Sequence, residues 1–159
     1  MHRGAWYYSA EENLGYCGAI RSAATVLADD PIFGRFCYGG SWQQVSTNLQ
    51  VIPMDGVRRR FHAMLNNGAV HAIIDTDRFA LSQPVTLASD VSALSFTLET
   101  GNTAAHTARL HLSALAPGAY TLSDTNGPIA TLTLVNGQET IYDLPMPAAT
   151  PTKTFSISH

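Results

Sequence analysis

Four Asx-Gly pairs, Asp55-Gly56, Asn67-Gly68, Asn126-Gly127 and Asn136-Gly137, stand between runs in which apolar and polar residues alternate. Such a pair is the strongest short-range signal of a two-residue β-hairpin, because both turn positions must take φ > 0. The pairs confine residues 41–159 to antiparallel strands. Residues 1–40 obey another rule, with aromatic residues leading into helical spacing. The chain is therefore read as mainly β. An antiparallel β-sandwich or jelly-roll-like domain occupies 41–159, and an N-terminal α-helical segment occupies 1–40.

In the first segment, Ser9-Ala10-Glu11-Glu12 forms a capping box. The Ser9 hydroxyl can accept from the Glu12 N–H, and the Glu12 side chain can reach back to the Ser9 N–H. Leu14, Cys17, Ile20, Ala24 and Leu27 follow at three- and four-residue steps, which predicts a helix from about Ala10 to Ala28. Asp29-Asp30-Pro31 ends it, since the residue before proline is pushed out of the α region. Ile32–Phe36 reads as a short turn and Tyr38-Gly39-Gly40 as a hinge-like loop. A lone helix cannot bury its own apolar face. It must pack on the β-domain or on something absent from this chain, and the second is expected; a second copy of the chain could serve as that partner.

In the second segment, Val45–Pro53, Val57–Leu65 and Ala69–Asp75 read as a meander folded at Asp55-Gly56 and Asn66-Asn67-Gly68. After a loop at Thr76–Pro84, seven further strands are expected: Val85–Ala88, Ala93–Thr100, Thr107–Leu115, Ala119–Asp124, Ile129–Val135, Glu139–Leu144 and Thr154–Ser158. Strands recurring about every 8–12 residues suit sandwiches. Pro145-Met146-Pro147 is an edge signal, because proline cannot donate to a ladder.

Composition narrows the function classes. Charged residues are 13% of the chain, against roughly 25% in typical domains. Lys and Arg number 9 against 12 Asp and Glu, for a net charge of −3. That balance argues against nucleic acid as a partner. No apolar run has the ~18–20 residues of a membrane-crossing helix. The stretch MHRGAWYYSAEEN lacks the apolar region of a signal peptide. The chain is thus expected to be cytoplasmic, or to be extracellular or periplasmic if its true start is missing. Cys17 and Cys37 read as two thiols, or as a disulfide in an oxidising compartment. No cofactor motif is present, and no G-x-S-x-G, P-loop or H-E-x-x-H.

Several residues are candidates for binding or catalysis. Trp6, Tyr7, Tyr8, Tyr38 and Trp42 could stack on sugar rings, or could fasten the helix to its partner. Strand alternation puts Arg58, Arg60 and His62 on one face, opposite Arg59 and Phe61. That face suits a carboxylate, either of an acidic sugar or of an internal partner such as Asp55 or Asp75. Glu11 and Asp55 are the candidate catalytic carboxylates, since glycoside hydrolysis needs two. Asp75 and Asp77 could contribute to a calcium site, which wants six to eight oxygens. His106 and His111, five apart, fall on opposite faces of a strand and so cannot chelate one metal together.

Three stretches carry a resemblance: WYYSAEENLGYCGAIRSAATVLADDPIFGRFCYGG, VIPMDGVRRRFHAML and APGAYTLSDTNGPIATLTLVNGQETIYDLP. Together they resemble the C-terminal end of a large bacterial carbohydrate-active protein, the last helix of an (α/α) toroid followed by a β-sandwich. In particular they are similar to an uncharacterised family known only as a domain of unknown function. The resemblance implies a secreted fragment whose catalytic apparatus lies upstream. Three functions follow in order. The first is an accessory β-sandwich of a glycoside hydrolase-like enzyme, not catalytic by itself. The second is a polysaccharide-binding module using the aromatic cluster. The third is a self-contained glycoside hydrolase using its own carboxylates.

Overall fold

A computed structural model describes residues 25–30, 34–53, 58–65, 68–81, 83–113 and 115–159. Thirteen strands follow in chain order: β1 (Thr25–Asp30), β2 (Gly34–Val45), β3 (Asn48–Pro53), β4 (Arg60–Leu65), β5 (Gly68–Ile74), β6 (Arg78–Phe79) and β7 (Val85–Ala88), then β8 (Ala93–Glu99), β9 (His106–Ser113), β10 (Gly118–Asp124), β11 (Gly127–Leu134), β12 (Thr140–Met146) and β13 (Thr152–Ser158). Every pairing between them is antiparallel.

The long strand β2 serves two sheets. Its first half pairs β1 on one side and, at Cys37 and Tyr38, β4 on the other. Its second half pairs β3 from Gly40 to Val45. The first sheet thus runs β1-β2-β4-β5-β9-β12, and the second β2-β3-β7-β8-β13-β10-β11, with β6 on β8. The result is a sandwich-like architecture. At the far edge the Tyr142 hydroxyl of β12 donates to the Thr131 carbonyl of β11 at 3.0 Å, so a side chain joins two strands that share no ladder.

Alternation explains the core. Leu94, Phe96 and Leu98 of β8 and Phe155 and Ile157 of β13 point inward from the second sheet. They meet Ala72 and Ile74 of β5, Leu110 and Leu112 of β9, and Leu144 and Met146 of β12 in one buried cluster. Phe79 meets Phe96 edge-on at 5.6 Å, and Phe96 lies 5.9 Å from Phe155. Burying each such ring stabilises the fold by about 1.5–3 kcal/mol. Tyr120 is buried as well, and its hydroxyl bonds back to the Ala116 carbonyl at 2.8 Å.

The seven strands expected from Val85 onward are all present, each end within two residues. The expected pairing of β4 with β5 is present, with Leu65 opposite Gly68. Asn126-Gly127 closes β10 on β11, where Asp124 faces Gly127 and Asp124 Oδ1 accepts from the Asn126 N–H at 2.7 Å. Gly137, at φ 72, turns the chain from the second sheet to the first rather than closing a hairpin.

Other expectations need correction. The strands flanking Asp55-Gly56 do not pair: β3 pairs β2 and β7, while β4 pairs β2 and β5. β3 instead forms a hairpin with β2 that turns at Ser46-Thr47, where Ser46 takes φ 57 without a glycine to announce it. Residues 25–30 and 34–40, expected to belong to the helix end, turn and hinge loop, form strand β1 and most of β2. Thr25, Val26 and Leu27 have the branched, apolar character that suits a pleated surface, and a partner strand follows within four residues of β1. The boundary drawn at residue 40 falls inside β2. The rest of the expected helix lies outside the described residues.

Candidate functional site

Among the described residues a dense polar arrangement stands where the first sheet hands over to the second. Turn Asp75-Thr76-Asp77 links β5 to β6, and the segment Glu99-Thr100-Gly101-Asn102 leaves β8 beside it. With Arg59 and Arg78 these residues line a cleft of about 360 Å³.

Arg58 takes φ 50, an uncommon conformation for a residue with a Cβ. The segment is held there by backbone bonds. The Arg58 carbonyl accepts from the Phe79 N–H at 2.7 Å, and the Arg59 carbonyl from the Ile74 N–H at 2.9 Å. The strand proper begins only at Arg60. The alternation that would put Arg58 and Arg60 on one face therefore does not apply. Arg58 is largely buried and forms an ion pair with Glu99, whereas Arg60 is exposed.

Glu99 gathers three donors. Arg58 Nη2 and Arg78 Nε, the latter at 2.8 Å, both reach Oε1, and the Leu81 N–H reaches Oε2 at 3.2 Å. Burial alone would raise the Glu99 carboxyl. The Arg58 hydrogen bond, the Leu81 N–H and the two guanidinium charges outweigh it and hold the group below the usual carboxylate range. Arg58 Nη1 is buried without a hydrogen-bond partner among the described residues. Arg59 Nη2 donates to the Thr76 carbonyl at 3.3 Å on the cleft wall.

The turn that forms this wall is held by two histidines of β9. His106 Nε2 contacts Asp77 Oδ2 at 2.9 Å, and its Nδ1 contacts the Ala104 carbonyl at 3.0 Å. His111 Nε2 contacts Asp75 Oδ2 at 3.0 Å, and its Nδ1 contacts Glu139 Oε2 at 3.1 Å. All four partners only accept, so each ring is satisfied when both nitrogens carry protons. The Ala104 carbonyl first, then Asp77, raises the His106 pKa, against a smaller opposing effect of burial. Glu139 first, then Asp75, raises the His111 pKa in the same way.

Asp75 and Asp77 thus diverge to histidines on opposite faces of β9 and do not point at one cation. Among the described residues no three His, Cys, Asp or Glu side chains are placed to hold a metal. Glu11, Asp55, Trp6, Tyr7, Tyr8 and Cys17 lie outside the described residues. The backbones of Tyr38 and Trp42 run in β2 opposite Ala63 and Val51, and that of His62 runs in β4 opposite His71. Their side chains lie outside the description. Sequence reasoning missed Glu99, Arg78 and Glu139 as partners. A signal existed for the histidines alone, since five residues apart on one strand they fall on opposite faces and so need separate partners.

Searches with this chain match no protein-family model, no curated protein and no solved structure.

Proposed function

We propose that the chain is an accessory β-sandwich that supports a carbohydrate-active catalytic domain upstream of it. In this reading residues 1–24 belong to the closing helix of that α/α domain, and the protein works outside the cytoplasm of a bacterium. One observation carries the support role over a catalytic one. Each carboxylate whose side chain is described is already engaged within the chain: Asp75 and Glu139 by His111, Asp77 by His106, Asp90 by Ser92, Glu99 by two arginines, Asp124 by Lys153 and Asp143 by Arg109. A glycosidase needs one carboxyl free to deliver a proton and a second free to attack or to activate water.

The test is an assay of the purified chain on a panel of neutral and acidic polysaccharides, run beside an apolar-surface dye titration. The expected outcome is no release of reducing ends, together with dye binding that disappears when residues 1–24 are removed. Turnover that is lost in Asp55→Asn, or a monomer that binds no dye, would overturn the reading.

A further inference from the structure

The cleft between the β5–β6 turn and the β8–β9 segment carries more positive charge than its own carboxylates neutralise. Three of the nine Lys and Arg residues meet there, in a chain whose net charge is −3. Arg59 and Arg78 line the cleft, and Arg58 stands behind Glu99. Against three guanidiniums stands Glu99. Asp77, the other acid of the wall, is taken up by His106. Among the described residues the buried Arg58 Nη1 has no hydrogen-bond partner, so Glu99 does not use all the donors around it. The excess is small, and Glu99 would repel a doubly charged ligand. A single carboxylate suits the site better than a phosphate or a sulfate does.

The rest of the lining defines the remainder of the ligand. Thr76, Thr100 and Asn102 offer hydroxyl and amide groups, with no large apolar side chain among the lining residues. A drug-like apolar molecule has nothing to bury there, whereas a polyhydroxylated one has partners throughout. At about 360 Å³ the cleft falls at the small end of ligand sites, which span roughly 300–1,000 Å³. We propose that this cleft binds a monocarboxylated sugar of the hexuronate class, with Arg59 as the principal carboxylate contact. Arginine suits that task because its planar fork meets both oxygens of a carboxylate. The inference stands apart from the accessory-domain reading, since a chain with any upstream partner, or none, would present the same cleft.

The experiment is a backbone NMR titration of the full chain with sodium galacturonate, galactose and sodium sulfate in parallel. Galacturonate is expected to shift the amides of Thr76, Gly101 and Asn102, while galactose leaves them in place. Arg59→Gln should weaken binding about tenfold, the loss of one charge-assisted contact. The fold should survive, because Arg59 is exposed and it is the backbone carbonyl that anchors the segment. A second variant tests the cavity itself. Gly101 has a negative φ, and a Cβ built on it meets nothing within 4 Å, so Gly101→Leu fills the cleft without straining the chain. It should abolish the galacturonate shifts while leaving every arginine in place. Absence of shifts at roughly 10 mM galacturonate, well above a 1 mM affinity, would overturn the proposal. So would equal responses to galacturonate and sulfate, or unchanged binding in both variants.

Discussion

The two sheets turn different chemistries toward solvent. On the first sheet the outer face is ionic: His111 sits between Asp75 and Glu139, and Arg109 faces Asp143 across the β9–β12 ladder. On the second it is a field of hydroxyls. Ser95 lies opposite Ser156 and Thr86, and Thr97 opposite Thr154, with the two threonine oxygens 2.8 Å apart. The inner faces are alike, both aliphatic and aromatic. Hydroxyl pairs stabilise a ladder without changing with pH, whereas a histidine held by two carboxylates responds to pH directly. Among the described residues the outer face of the first sheet therefore responds to pH through His111, while the second sheet holds its ion pairs, Glu99 with two arginines and Asp124 with Lys153, beside the hydroxyls.

The largest break in this contrast is expected at Glu99. Glu99→Gln leaves Arg58 buried without a counter-charge and should lower unfolding stability by about 3 kcal/mol, the low end for breaking a buried pair. Chemical denaturation would read it. A loss below about 1 kcal/mol would mean the pair behaves as a solvated surface contact.

His111→Gln tests the first sheet. The folded-state pKa of His111 is raised above its ordinary value of 6.5. Its stabilisation is therefore complete below pH 6.5 and is lost as the pH rises through the raised folded value. Both carboxylates are about half exposed, which limits the effect to about 1 kcal/mol, or roughly 2–4 °C in melting temperature. Wild type and variant should differ most below pH 6.5 and converge only above the raised folded-state pKa. Some pH slope should persist in the variant, because His106 is raised as well. A constant gap at every pH would assign His111 a packing role.

Thr154→Val tests the second sheet. It removes one partner of the Thr97 hydroxyl and should cost roughly 0.5–1 kcal/mol, equally at every pH. A pH-dependent loss would erase the contrast between the faces. The smallest effect belongs to Arg109→Ala. Arg109 and Asp143 are both more than half exposed at 3.3 Å, so the melting temperature should hardly move.

Local signals made the strands from Val85 to Ser158 legible. Ile129-Ala-Thr-Leu-Thr-Leu alternates, and a two-residue turn adjoins it at Asn126. Partner choice was not legible. Asp55-Gly56 carries the same turn signature as Asn126-Gly127, yet the strands beside it find other neighbours. The turn at Ser46-Thr47 has no glycine and left no trace. The segment around Thr25 to Leu27 has residues that suit a strand and spacing that suits a helix, and pairing with β2 decided the outcome.

The candidate site shows the same divide. Its arginines stood out as a run in the sequence, but their counter-charge did not. Residue periodicity by itself determined that the stretch from Val85 to Ser158 is built of strands that mostly keep an apolar face, because side-chain alternation is a property of the extended backbone. Only the tertiary structure decided that Arg58 meets Glu99 across 41 residues, that Asp77 meets His106 across 29 and that Asp75 meets His111 across 36. Those meetings depend on strand order, on the handover of β2 between sheets and on one residue at φ 50, which together set the distances that charge and hydrogen bonding require.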